Sequence, residues 1–151
     1  MTRRMIPLHP ITVHFPLALL LTSTLFTLLA LRGRASNWDS SAYHCLLIGC
    51  LGGVAALLTG TIDAVRQIVG PDATHTGAVV GLVNAHAFVS LAALALYGRA
   101  LLLHRRWKGL PHDGSARRTY LWLHGAGALL LTVGGWLGGR LVYGFGLGMG
   151  G

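Results

Sequence analysis

Apolar residues gather into four long runs: Ile11 to Leu31, Tyr43 to Val65, Ala78 to Leu103 and Thr119 to Val142. Each holds about 20 residues or more, which at about 1.5 Å per helical residue crosses roughly 30 Å of hydrocarbon. The pattern predicts four membrane-spanning helices and no strands. Pro10 suits a helical first turn, where a missing N–H costs nothing, and Pro16 one turn later predicts a local distortion. Asn37-Trp38-Asp39-Ser40-Ser41 offers N-cap candidates for the second helix, with Trp38 and Tyr43 at interfacial depth. Val69-Gly70-Pro71-Asp72-Ala73-Thr74 breaks the chain before the third helix. The basic stretch Arg105 to Ser115 predicts a loop before the fourth, and the tail Gly144 to Gly151 is too glycine-rich to hold a stable helix. The fold expected is all-α: one integral membrane four-helix up-down bundle over residues 1–151.

Composition agrees with a bilayer. Charged residues make up 11% of the chain, where a soluble domain carries about a quarter. The formal charge of +8 would suit nucleic acid on a soluble protein, but here the cations sit between the apolar runs and read as topology signals. The gaps after the first and third runs hold Arg32, Arg34, Arg99, Arg105, Arg106, Lys108, Arg117 and Arg118; the other face holds Arg3, Arg4, Arg66 and Arg140. That asymmetry predicts both termini on the periplasmic side of a bacterial inner membrane, crossed several times by the chain. The first run is long, contains histidines and lacks a small-residue cleavage site, so it reads as a retained helix and not a removed signal. Cys45 and Cys50 lie five positions apart and face different directions on a helix, which favours packing over a disulfide or thiolate metal site.

Glu is absent and there are four Asp, so the polar chemistry falls on histidine. An alternating bundle gathers His9, His14, Asp63, Arg66, His75, His86, Arg140 and Tyr143 at one end, and His44, His104, His112 and His124 at the other. Ionisable groups at membrane depth are costly and usually functional. His14 and His86, on diagonally placed helices, could flank a haem plane as axial ligands. Asp63 could accept from a ligand's second ring nitrogen or pair with Arg66 or Arg140. Arg140 or Arg66 could meet a propionate. His44 and His124 form a weaker second pair, so one haem is expected, not two. The bland alternatives are hydrogen bonding within the bundle for His14 and His86, and solvated or interfacial positions for His9, His44, His75, His104 and His112. Small faces on the second helix (Gly49, Gly52, Ala56, Gly60 with Asp63) and the fourth (His124, Ala128, Gly135, Gly138) admit close helix packing or a flat cofactor.

His9-Pro10, His14-Phe15-Pro16, Thr59-Gly60-Thr61-Ile62-Asp63, His86 and Gly138-Gly139-Arg140-Leu141-Val142-Tyr143-Gly144-x-Gly146 together resemble a bacterial family of small four-helix membrane proteins, domain of unknown function family 2231. The resemblance runs over nearly the whole chain. It implies polar landmarks at His9, His14, Asp63, His86, Arg140 and Tyr143. It also implies a setting near electron transfer, since some similar domains are joined to Rieske-type iron–sulphur or cytochrome c domains.

Three functions follow as expectations. The first is a b-type cytochrome-like electron-transfer protein, with non-covalent haem b held by His14 and His86 and tuned by Asp63, Arg140 and Tyr143. It would work with a redox partner or as a subunit of a respiratory or photosynthetic complex. The second is a divalent-metal protein binding zinc or copper through His9, His14, Asp63 and His86, with His44 and His124 as further ligand candidates. The third is a structural subunit with no cofactor. Electron transfer is expected before catalysis, and nothing in the sequence marks an enzyme nucleophile or phosphate loop.

Overall fold

The structure, a computed structural model, describes residues 7–32, 36–69 and 77–147. Arg3, Arg4, Arg34, Pro71, Asp72, His75 and the last glycines, Gly148 to Gly151, lie outside the described residues. All regular structure among the described residues is helical: α1 (His9–Arg32), α2 (Ser36–Ala64), a short π-helical extension (Val65–Val69), α3 (Gly77–Trp107) and α4 (Gly114–Phe145). All four long helices are long and apolar enough to cross a membrane. Their outward faces carry large apolar side chains such as Phe15, Leu51, Leu58, Phe88, Trp122 and Leu129, as a lipid-facing surface requires.

The helices outrun the apolar runs at nearly every end. Asn37 to Ser41, expected as capping loop, lie inside α2, and α3 continues through Arg105 and Arg106 to Trp107. Interfacial polar residues thus extend the helices beyond the hydrocarbon. The loop between α3 and α4 is short, with Lys108 (φ 52°) and Gly109 (φ 147°) in left-handed backbone. Asp39 pins it, its Oδ2 accepting the Leu110 N–H at 3.2 Å. A Cβ on Gly109 would stand 3.2 Å from the same carboxylate oxygen.

Asp113 caps α4 by accepting the Ser115 and Ala116 N–H groups. The Ser115 hydroxyl first, then the Ala116 N–H, hold the exposed Asp113 carboxyl below its usual range. Gly146 (φ 69°) closes the same helix, its N–H bonding the Val142 carbonyl while Leu147 N–H bonds that of Leu141.

The packing repeats with a period that the apolar runs alone do not reveal. α1 packs chiefly on α2 and α3 on α4, and the two hairpins meet along a looser seam of α2 on α3 and α1 on α4. A shift of 77 residues carries the buried positions of α1 (Pro16, Leu20, Ser23, Thr27) onto those of α3 (Ala93, Tyr97, Ala100, His104). A shift of 78 carries Ala42, Leu46, Gly49, Ala56 and Asp63 of α2 onto Tyr120, His124, Gly127, Gly134 and Leu141 of α4, all buried. The glycine contacts repeat too. A Cβ on Gly49 would come within 2.8 Å of Leu20, and one on Gly127 within 2.8 Å of Tyr97, the equivalent pair. The bundle is therefore built as two like hairpins, each closed through a glycine on its second helix.

Candidate functional site

At one end of the bundle the repeat brings two imidazoles together. His9, the first residue of α1, has its Nδ1 2.8 Å from the Ala56 carbonyl on α2. His86 on α3, 77 residues on, has its Nδ1 3.0 Å from the Gly134 carbonyl on α4, the equivalent of Ala56. A carbonyl only accepts, so each Nδ1 carries a proton, and in its neutral form each ring keeps its lone pair on Nε2. The rings stand 5.9 Å apart between centroids, nearly perpendicular at 78°, across the seam.

Glycines make room for both rings. A Cβ on Gly60 would stand 2.9 Å from His9 Nδ1, and one on Gly138, its equivalent, 3.2 Å from His86 Cε1. Each glycine lies one turn beyond the carbonyl that holds its histidine. Asp63 is buried, and its Oδ2 accepts the backbone N–H of His9 at 2.8 Å, capping α1 from the neighbouring helix. Thr12 and Thr59 link the same two helices at 2.8 Å.

His14 does not join this site, which corrects the expected His14–His86 pairing. It lies five residues beyond His9, about 140° around the helix, so that when one faces the seam the other faces out. Its ring is exposed and its Nδ1 folds back to the Pro10 carbonyl at 2.7 Å. Asp63 accepts from backbone rather than from an imidazole, and among the described residues the only ion pair joins His104 to Asp39. Arg66, Arg140 and Tyr143 are exposed at this end, with the Arg140 guanidinium 5.3 Å from the centre of the Trp136 ring.

The opposite end also departs from expectation. His44 is exposed and bonds Ser40 on its own helix, so it forms no pair with buried His124. His104, expected as a solvated residue, is buried; its Nε2 donates to Asp39 Oδ1 at 3.1 Å, and its ring stacks on Tyr43 at 5.0 Å. His112 is exposed in the loop. Sequence reasoning overlooked Tyr97 and Tyr120, both fully buried beside His124. The sign available was their place one turn from the histidine on α4 or on the facing helix α3. Cys45 and Cys50 are free thiols, one half-buried and one buried.

The donor set at the His86 end can be tested against the expected guests. Among the described residues no group of three or more His, Cys, Asp or Glu is arranged to hold a metal ion. Protein zinc sites take three or four such ligands. Two imidazoles held through Nδ1 would suit a haem better, because the macrocycle supplies the remaining nitrogens.

The sequence pattern of a predicted membrane protein family, DUF2231, matches residues 5–151. No curated protein and no solved structure matches the chain.

Proposed function

The chain belongs to that DUF2231 family of membrane proteins, and we propose that within it this chain works as a b-type cytochrome-like electron-transfer protein whose haem would be held by His9 and His86. What supports the reading is the matched state of the two rings: each Nδ1 is tied to a carbonyl of its own hairpin, and the rings stand 5.9 Å apart between centroids across the seam. Haem bound there would supply one-electron redox chemistry.

The protein's part is to hold, orient and shield. The Ala56 and Gly134 carbonyls fix the tautomer and raise the basicity of each ligand nitrogen. Gly60 and Gly138 keep the space beside the rings open. Asp63 fixes the start of α1, and so the position of His9, by taking the first N–H of the helix. Exposed Arg140 and Arg66 at the same end are the cations available to propionates. By the distribution of Arg and Lys this end faces the outer side of a bacterial inner membrane, where a separate donor or acceptor would dock.

The structural reading uses Nδ1 of each histidine to staple a hairpin and gives Nε2 no task. A bare divalent ion would find only two imidazoles. The test is the visible spectrum of protein purified from a haem-replete host. A Soret band with reduced α and β bands is expected, lost in His9→Ala and in His86→Ala and kept in His14→Ala. Colourless wild-type protein, or loss of the band in His14→Ala alone, overturns the assignment.

A further inference from the structure

A groove on the outer side of the second hairpin plays no part in the electron-transfer reading. It lies between α3 and α4, holds about 680 Å³, the size of a small-ligand site, and changes character along its length. Ser115, Arg118 and Thr119 line the end nearest the start of α4; Leu96, Trp122 and Ala126 line the rest. From Ser115 to Ala126 it follows α4 for about 16 Å at about 1.5 Å per residue. That is close to the depth of one leaflet, half of a hydrocarbon core roughly 30 Å thick. A cation with hydroxyls comes first, then an indole that is 76% exposed, then apolar and small side chains. A phospholipid presents its phosphate, its glycerol region and its acyl chain in the same order.

Charge at the polar end favours an anion. Arg117 and Arg118 are both exposed there. The opposing charge is Asp113, which lies within the field of Arg118 and has its Oδ2 already engaged by the Ser115 and Ala116 N–H groups at the cap. Arg118 Nε donates to the Gly114 carbonyl at 3.3 Å, which ties the side chain to the helix start and spends one of its five N–H donors. Its two terminal amino groups form the fork that suits a phosphate oxyanion.

The repeat shows that a hairpin of this kind packs without these residues. Under the shift of 78 the first hairpin carries Asp39 for Arg117, Ser40 for Arg118, His44 for Trp122 and Ile48 for Ala126. Its backbone is alike, but an acid replaces one cation, and a branched side chain stands where the groove has only a methyl group.

We propose that this groove is a site for one anionic glycerophospholipid of the surrounding bilayer, its phosphate on Arg118 and one acyl chain along Leu96, Trp122 and Ala126. Arg117 sets the preference between headgroups: a zwitterionic lipid brings a cation of its own against it, and an anionic lipid does not. The apolar length of the groove distinguishes the lipid from free phosphate, which has no chain to bury there.

The test is native mass spectrometry of the full chain released from nanodiscs of phosphatidylcholine with phosphatidylglycerol as the minor component. Wild-type protein is expected to retain one phosphatidylglycerol in preference to phosphatidylcholine, and excess inorganic phosphate should not displace it. Arg118→Gln should lower the retained fraction about fivefold, the weight of about 1 kcal/mol for a cation at a membrane surface. Ala126→Ile, which installs the first hairpin's residue, should lower it with no change of charge. Arg32→Gln removes an exposed cation at the same end of the bundle but on α1 and should leave retention unchanged; so should His86→Leu, which separates this site from the haem assignment. Circular dichroism should match the wild type throughout. Equal retention of the two lipids by the wild type, displacement by phosphate, an equal fall in Arg32→Gln and Arg118→Gln, or wild-type retention in both groove variants would overturn the proposal.

Discussion

At the His86 end the two hairpins offer each other the same side chain; at the His104 end they offer different ones. His9 and His86 are equivalents under the shift that relates α1 to α3, each bonded to an equivalent carbonyl and flanked by an equivalent glycine. Towards the other end the shared backbone pattern persists, but Leu20, Ala42 and Leu46 of the first hairpin face Tyr97, Tyr120 and His124 of the second. Matched repeats create a place between them, with both partners contributing alike. Unmatched repeats place buried polar rings on one side only, where they meet Thr24, Asp39 and Tyr43 of the other hairpin. One scaffold thus carries a symmetric histidine pair at one end and an unequal polar cluster at the other, according to which side chains were kept equal.

The largest expected effect comes from filling the shared space. Gly60→Ala places a methyl 2.9 Å from His9 Nδ1, too close for the ring to stay, whereas Gly138→Ala places one 3.2 Å from His86, where a small shift suffices. Haem content after purification should fall steeply in the first and partly in the second. Equal, full content in both would break the link between the glycines and the site.

At the other end the same substitution probes the inequality. Gly127→Ala meets the ring of Tyr97 and Gly49→Ala meets the flexible end of Leu20, both at 2.8 Å. Overpacking costs about 1–3 kcal/mol, and the rigid ring should place Gly127→Ala at the upper end and Gly49→Ala at the lower. Thermal denaturation in detergent ranks them; the reverse order would contradict the packing described. Tyr97→Phe should cost about 1 kcal/mol through its lost bond to Thr24 and leave haem content untouched.

The smallest effect lies outside both ends. Asp113 has its carboxyl pKa depressed by its bonds to Ser115 and Ala116, so its help to α4 is present above the ordinary carboxylate pKa and fades as pH falls through the lowered folded value. Protection of the Ser115 and Ala116 amides, measured against their intrinsic exchange rate at each pH, should fall at acid pH in the wild type and be low at every pH in Asp113→Ala. Protection independent of pH would remove the cap from the account.

The runs of apolar residues made four spans legible, and the clustering of polar residues at two ends followed from alternation alone. Helix ends were not legible, because Asn37 to Ser41 and Arg105 to Trp107 are polar and yet helical, held by neighbours such as Asp39 that lie far off in sequence. Which histidine faces which also escaped the reading. His9 and His14 both begin α1, and only the carbonyl of Ala56, 47 residues on, decides that His9 turns inward. His104 looked like a loop residue because its partner Asp39 is 65 residues away. The spacing of His9 and His86, shared with Leu20 and Tyr97, was present in the sequence but meaningful only once the burial pattern repeated with it.

The most direct test of the paired-histidine site is pulsed electron paramagnetic resonance on the oxidised protein with nitrogen-15 histidine. Couplings from two imidazole nitrogens to one low-spin ferric centre are expected in the wild type and in His14→Ala, and the ferric signal itself should be lost with the haem in His9→Ala. A ferric signal without imidazole coupling, or a pair of couplings that survives His9→Ala, would contradict the account.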